Sequence, residues 1–223
     1  MFDFTFCAIN VDFKESERYA FLKEIKNVEE KCWYKDKFRN CEILPIINSE
    51  GTVKAPKRRL DGTLIGVNRS HGDMIVTEAG HQCKTLVDFI YERIFPFMNP
   101  IGRTSILRTQ SNIGLNLHID SNKDLIGTRQ HKFRVALNDK IDKLYFMDKN
   151  MNKIYVPSHY RTYAIDGTHL HATDPIDEEK ITVCIGLPWS GEHNEKYDSL
   201  IHNSPFTMKV SRPKIKENWV CTR

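Results

Sequence analysis

The sequence predicts a mainly β protein with flanking helices, built as an antiparallel sandwich or barrel. Two observations carry this. From Ile101 onward, short apolar runs alternate with turn residues at regular spacing, which argues against strand-helix-strand repeats. Before Ile101, helical periodicity shows in two places only, and the residues between them are rich in turn formers. The chain has 223 residues, enough for one domain with a full core over 1–223. We divide it into a helix-containing part (1–100) packing on the sheet, a β core (101–190) and a C-terminal extension (191–223).

The first helix is expected over Glu15 to Lys26, where Tyr19, Leu22 and Ile25 recur at three-residue spacing with Phe21 beside them. A second spans His81 to Phe95, with Cys83, Leu86, Val87, Ile90 and Ile94 on one face, and Pro96 and Pro100 end it. Asn48 to Gly51, Asp61-Gly62 and Ser70 to Asp73 are turn signals between them. Strands are expected over Ser105 to Thr109, Gly114 to Ile119, Lys132 to Asn138, Lys143 to Phe146, Asn152 to Val156, Thr162 to Ile165, Thr168 to Thr173 and Lys180 to Leu187. Phe146 to Ile154 reads as a hairpin, because Asp148 and Asn150 tolerate the left-handed backbone of tight turns. After Pro188-Trp189 the chain turns polar.

Lysine and arginine number 33 against 29 acidic residues, a modest excess spread along the chain apart from a cluster from Lys54 to Arg59. That cluster reads as a solvated loop, or as a contact for an anionic substrate or a phosphate backbone. The opening Met1 to Phe6 lacks the basic start and apolar run of a secretion signal, and no stretch approaches the roughly 20 apolar residues of a membrane span. The expectation is a cytoplasmic protein. Its six cysteines include no Cys-x-x-Cys pair and are read as reduced thiols.

The chemistry-bearing segment is Asn116-Leu117-His118-Ile119-Asp120. On a strand, residues two apart share a face, so His118 and Asp120 can offer one imidazole nitrogen and one carboxylate oxygen to a single cation, with Ile119 turned to the core. A third ligand must come from elsewhere, and Thr168-His169-Leu170-His171 supplies two candidates. Two histidines and one carboxylate on one face of an octahedral metal leave three positions open, the pattern of non-haem iron. A structural zinc site would more often close four positions, commonly with cysteine, and no cysteine lies nearby in sequence.

The order of parts over roughly 101–190 resembles the iron(II) and 2-oxoglutarate dioxygenases, and within them the aspartyl/asparaginyl β-hydroxylase-like group, which includes proline hydroxylases. The stretches are His118-Ile-Asp120, Phe133-Arg134-Val-Ala-Leu-Asn138, Tyr163-Ala-Ile-Asp166-Gly-Thr168-His-Leu-His171 and Lys180-Ile-Thr182. The resemblance implies a double-stranded β-helix, a cupin-like jelly roll. It implies iron(II) held by His118, Asp120 and His171, with 2-oxoglutarate and O2 as cosubstrates. The Asp-x-Thr turn five residues ahead of the ligand selects His171 over His169, which becomes a supporting or substrate-side group.

The same resemblance puts a cation about ten residues after the distal histidine to pair with the far carboxylate of 2-oxoglutarate. Lys180 stands there with Thr182 beside it, although arginine is more usual and lysine offers a point charge rather than a fork. Arg134 is the other candidate clamp. His131 and His159 fall in expected loops and are read as solvent-facing. The activity implied is hydroxylation of an amino acid side chain, free or in a protein, with release of succinate and CO2. The substrate is then a small molecule or a peptide, taken up through loops around Trp33 to Asn40, Leu60 to Gly72 and Asn122 to His131. Two rivals are a non-catalytic ligand-binding jelly roll and a nucleic-acid modifying protein.

Overall fold

Lys180–Gly186 shows how the fold is organised. Its Ile181, Val183 and Ile185 alternate with Lys180, Thr182 and Cys184, so one face is apolar and the other carries chemistry. The structure, a computed structural model of the chain, describes residues 4–54, 57–58, 64–65, 73–98, 101–120, 131–138, 143–186, 195–214, 216 and 219. The N-terminal elements are β1 (Phe6–Ala8), α1 (Glu15–Asn27), β2 (Tyr34–Asp36), β3 (Cys41–Asn48), β4 (Lys57–Arg58), β5 (Leu64–Ile65), β6 (Ile75–Val76), α2 (Glu78–Gln82) and α3 (Lys84–Phe89). The rest are β7 (Thr104–Thr109), β8 (His131–Ala136), β9 (Leu144–Met147), β10 (Lys153–Tyr155), β11 (Thr162–Asp166), β12 (His171–Thr173), β13 (Lys180–Gly186), α4 (Glu195–His202) and β14 (Thr207–Met208).

The major sheet runs β14-β1-β11-β8-β13-β7-β3-β2, with β6 added beside β3; the minor sheet runs β10-β9-β12. An isolated antiparallel bridge from His118 to His171 adds the His118 segment to the free edge of β12. Along the chain, β7, β8, β11 and β13 belong to the major sheet, while the His118 segment, β9, β10 and β12 belong to the minor one. This alternation winds the chain into a double-stranded β-helix. β4 and β5 pair with each other.

The outer face of the major sheet is covered by helices. Phe133, Val135, Ile181, Val183 and Ile185 form one cluster with Phe21 and Ile25 of α1 and Leu86 and Phe89 of α3. Each fully buried side chain of this size contributes about 1.5–3 kcal/mol. A smaller cluster around Phe6, Leu144, Phe146 and Ile165 includes residues of both sheets.

Most expected strands form, with shifted limits. The stretch Gly114 to Ile119 does not form a regular strand: His118 bridges His171, and the residues before it pair elsewhere. Thr168 to Thr173 is strand only from His171, because Asp166 Oδ1 accepts from the Thr168 amide and hydroxyl and holds a turn there. The first helix buries Arg18, Phe21 and Ile25, whereas Tyr19 is 61 % exposed. The buried face therefore centres on Phe21.

The second expected helix is broken at Cys83 into α2 and α3, then tightens through a π-helical turn (Ile90–Ile94) and a 3-10 turn (Phe95–Phe97). Its five apolar residues are nonetheless all buried. In the β9–β10 hairpin the left-handed residue is Met151 (φ 65°), not an Asp or Asn. Asp148 instead accepts from the amides of Asn150 and Asn152. No helix among the described residues is long and apolar enough to cross a membrane.

Candidate metal centre

Each side chain of the centre is set by backbone that is itself fixed. His118 is aligned by exchanging amide hydrogen bonds with His171, at 3.0 and 2.9 Å. The Asp120 amide donates to the carbonyl of Gly167 at 2.7 Å, in the turn just before His171. One potential ligand atom from each of His118, Asp120 and His171 then lies within 4.8 Å of the others, and all three residues are buried. Nε2 of His118 is 3.6 Å from Asp120 Oδ1, and Nε2 of His171 is 3.8 Å from Oδ2.

The tautomers follow from the partners. Nδ1 of His118 meets the Asn116 carbonyl at 2.6 Å and Nδ1 of His171 meets the His169 carbonyl at 2.7 Å. A carbonyl only accepts, so both Nδ1 atoms carry the proton, and in the neutral ring Nε2 is the atom left with a lone pair toward Asp120. Nε2 of His171 is buried without a hydrogen-bond partner. Burial, reinforced by the neighbouring His118, holds the His171 imidazole well below its ordinary pKa and keeps it neutral. A buried lone pair facing a second imidazole and a carboxylate, with no hydrogen bond to satisfy it, is the donor set a divalent cation completes.

Two arginines grip the carboxylate. Arg39 Nη2 is 3.0 Å from Asp120 Oδ1 and Arg134 Nη2 is 3.3 Å from Oδ2. Burial alone would raise the Asp120 pKa, but the Arg39 guanidinium opposes it and the carboxyl is held well below its usual range. Arg134 is thus buried against Asp120 rather than on the surface. Arg39 was not among the sequence candidates, although its loop was. Asp36 Oδ1 accepts from the amides of Phe38 and Arg39, and Asn40 takes a left-handed φ of 59°. Asn116 then ties this turn to the His118 segment, its amide bonding Arg39 O and its Nδ2 bonding Phe38 O.

His169 points elsewhere, with Nε2 2.9 Å from the Met147 carbonyl. Lys180 and Thr182 are both buried, on the face of β13 opposite Ile181 and Val183. The Lys180 ammonium donates to Thr173 Oγ1 and to the Asp174 carbonyl. Thr173 shares its strand face with His171, two residues or about 7 Å away. Thr109, the register partner of Lys180 on β7, has a buried hydroxyl with no hydrogen-bond partner. His131 is not in a solvent-facing loop: it begins β8, stacks on Phe4 at 4.4 Å and meets the Tyr197 hydroxyl at 3.0 Å. His159 is exposed.

The expected mouth loops Leu60 to Gly72 and Asn122 to His131 lie almost entirely outside the described residues, as does most of the Lys54 to Arg59 cluster. The C-terminal extension reaches the centre as well. Arg212 donates to Asp166 Oδ2 and to Thr168 Oγ1, and the Ile119 amide donates to the Trp219 carbonyl.

No protein-family model matches the sequence, and no curated protein matches it. Solved structures match in fold. A prolyl hydroxylase from Trichoplax adhaerens, in complex with a hypoxia inducible factor oxygen degradation domain peptide fragment, aligns with a TM-score of 0.50 at 14 % identity over 88 % of this chain and 86 % of that one. A Pseudomonas putida prolyl-4-hydroxylase gives 0.50 at 12 % identity, over 84 % of this chain and 94 % of that one. HygX from Streptomyces hygroscopicus, with nickel and 2-oxoglutarate bound, gives 0.52 at 12 % identity, over 98 % and 96 %. What this chain shares with these 2-oxoglutarate oxygenases is the double-stranded β-helix fold.

Proposed function

We propose that the chain is an iron(II)- and 2-oxoglutarate-dependent oxygenase that hydroxylates an amino acid side chain, free or in a protein. The observation that carries this is the convergence of His118, Asp120 and His171, with both imidazoles obliged by main-chain carbonyls to present Nε2 to one point. Three protein ligands on one side suit iron(II) that must keep open positions. Bound there with 2-oxoglutarate and O2, iron would supply a coupled oxidation in which the keto acid becomes succinate and CO2 and one oxygen atom enters a substrate C–H bond.

The protein's own residues then have separable tasks. Lys180, with Thr173 and Thr109 beside it, binds the far carboxylate of 2-oxoglutarate by charge-assisted hydrogen bonds, and Thr182 stands on the same strand face. Arg39 and Arg134 keep Asp120 ionised and oriented. That contact makes Arg134 a positioning residue for Asp120 and leaves the cosubstrate to Lys180. Ile119, Leu170 and Ala172 form an apolar layer with Tyr145 behind the ligands. The order of His118-x-Asp120, His171 and Lys180-x-Thr182 supports a place in the aspartyl/asparaginyl β-hydroxylase-like group. The prolyl hydroxylase bound to a peptide shares the fold, in keeping with a peptide or amino acid substrate.

The test is anaerobic loading with iron(II) and 2-oxoglutarate. One iron per chain and the weak visible band of a chelated keto acid are expected, and His118→Ala and His171→Ala should each abolish that band. Retention of the band at full intensity in both variants overturns the ligand assignment. Succinate release against panels of amino acids and peptides then identifies the substrate.

A further inference from the structure

The residues that alternate with the metal ligands build a second surface, behind the centre. Neighbours along extended backbone point to opposite sides, so Leu117 and Ile119 beside His118, and Leu170 and Ala172 beside His171, turn away from the point the ligands share. Ile119, Leu170 and Ala172 are buried there with Tyr145 and Met147, and Leu117 and the half-buried Trp219 pack on that cluster. The cavity that reaches Asp120 is instead lined by cations that include Arg39, Arg103, Lys132 and Arg134. His118 uses its own amide and carbonyl on His171, so the Ile119 amide points to the outer edge of the minor sheet, where it donates to the Trp219 carbonyl at 2.9 Å. Trp219 is itself held in a turn, its amide donating to the Lys216 carbonyl at 3.1 Å and its ring centre 5.2 Å from the Lys216 ammonium. Earlier in the same segment, Arg212 donates to Asp166 Oδ2 and, at 3.0 Å, to Thr168 Oγ1. That turn gives the Gly167 carbonyl to the Asp120 amide and the His169 carbonyl to His171 Nδ1. Arg212 and Trp219 therefore touch both arms of backbone that carry the ligands. Without Trp219, the described backbone bonds of residues 118–120 would be the two shared with His171 and the one to Gly167.

We propose that Arg212 and Trp219 form a brace for the metal centre and that Trp219 is a positioning residue, setting the angle at which His118 and Asp120 meet the metal. Its carbonyl fixes the residue between these two ligands, and its ring closes the apolar layer that turns them inward. Loss of a group that orients metal ligands typically costs about 10–100-fold in metal affinity, and a group acting through backbone and packing belongs at the low end of that range. The proposal rests on the three-ligand metal site of the oxygenase reading but not on 2-oxoglutarate, so the two fail separately.

The test uses the full chain and cobalt(II), whose visible d–d bands report the arrangement of its ligands without any cosubstrate. Cobalt affinity, by competition with a chelator, and the band pattern are compared in wild type, Trp219→Ala and Trp219→Phe, with thermal melts of the metal-free proteins to establish folding. Trp219→Ala should bind cobalt about tenfold more weakly and with altered bands. Trp219→Phe keeps an aromatic ring on the cluster and should restore most of the affinity. If Trp219→Ala does not fold, Trp219→Leu takes its place. Unchanged affinity in the folded variant, or Trp219→Phe as weak as Trp219→Ala, overturns the proposal. So does a weaker affinity with unaltered bands, and a lowered melting temperature alongside would assign Trp219 to stability alone. A wild-type protein that binds no cobalt overturns the brace together with the ligand assignment. A wild-type protein that gives the expected cobalt results yet no chelate band with iron(II) and 2-oxoglutarate overturns the oxygenase reading instead and supports the brace.

Discussion

Replacing Lys180 by Met separates a cosubstrate anchor from a merely buried lysine. The side chain is 3 % exposed, and its ammonium donates to Thr173 and, at 3.2 Å, to the Asp174 carbonyl. Were Lys180 a solvated cation, its pairing with a ligand carboxylate would contribute up to about 1 kcal/mol, less than a tenfold change in affinity. In a desolvated pocket, removing one partner leaves the other charge uncompensated at about 3–5 kcal/mol, or two to three and a half orders of magnitude in Kd. Methionine keeps most of the volume, so the fold is not asked to close a cavity. The assay is an anaerobic titration of the iron-loaded protein with 2-oxoglutarate, read by the chelate band, with iron affinity measured separately. Lys180→Met should weaken 2-oxoglutarate by at least about a hundredfold and leave iron affinity unaltered. A change of less than tenfold refutes the anchor and moves the role to Arg134.

Three other outcomes follow from the same geometry. Asp120→Ala should weaken iron binding and also lower stability by about 3–5 kcal/mol, because Arg39 and Arg134 lose the buried carboxylate they share; thermal melts of the metal-free protein measure this. Arg212→Gln should lower iron affinity by about tenfold, since Arg212 holds the Asp166 to Thr168 turn that in turn holds His171 and the Asp120 amide; equal affinities by competition with a chelator would show the tail to be passive. Glu17 is held below the ordinary carboxylate pKa, first by the Lys14 amide it caps and then by Arg93. Its contribution is therefore complete above its ordinary pKa and is lost as pH falls through the lowered one. Glu17→Gln should flatten the acid limb of the stability profile by that amount, and an unchanged limb would contradict this.

What the sequence discloses here is what is local. Alternation made β13 legible: Ile181, Val183 and Ile185 face the helices while Lys180, Thr182 and Cys184 take the opposite face. The spacing of two in His118-x-Asp120 placed both ligands on one side even though the segment is paired by a single bridge. What escaped was decided by distant partners. β3 carries Pro45 in its middle, an unpromising strand residue, and is accommodated because the register with β7 shifts between Pro45 and Ile47. β1 is a strand because β11 and β14, from the far end of the chain, take it between them. The helix from His81 breaks at Cys83, yet its five expected core residues are buried all the same. Apolar periodicity reports a buried face without reporting whether the backbone along it is continuous.

The charge of the site is the extreme case. Arg39 comes from the turn ahead of β3, Arg103 from the residue before β7, and Lys132 and Arg134 from β8. Each, read along the chain, is an ordinary cation among 33, and the residue that grips Asp120 most closely stands 81 positions before it. The double-stranded β-helix makes them neighbours, because strands alternating between two sheets point every second side chain of β7, β8 and β13 into the same interior. Ligand residues can be guessed from a spacing of two because one strand sets their geometry. The counter-charges around a ligand are supplied by several parts of the chain at once, so they become visible only when the register between those parts is known.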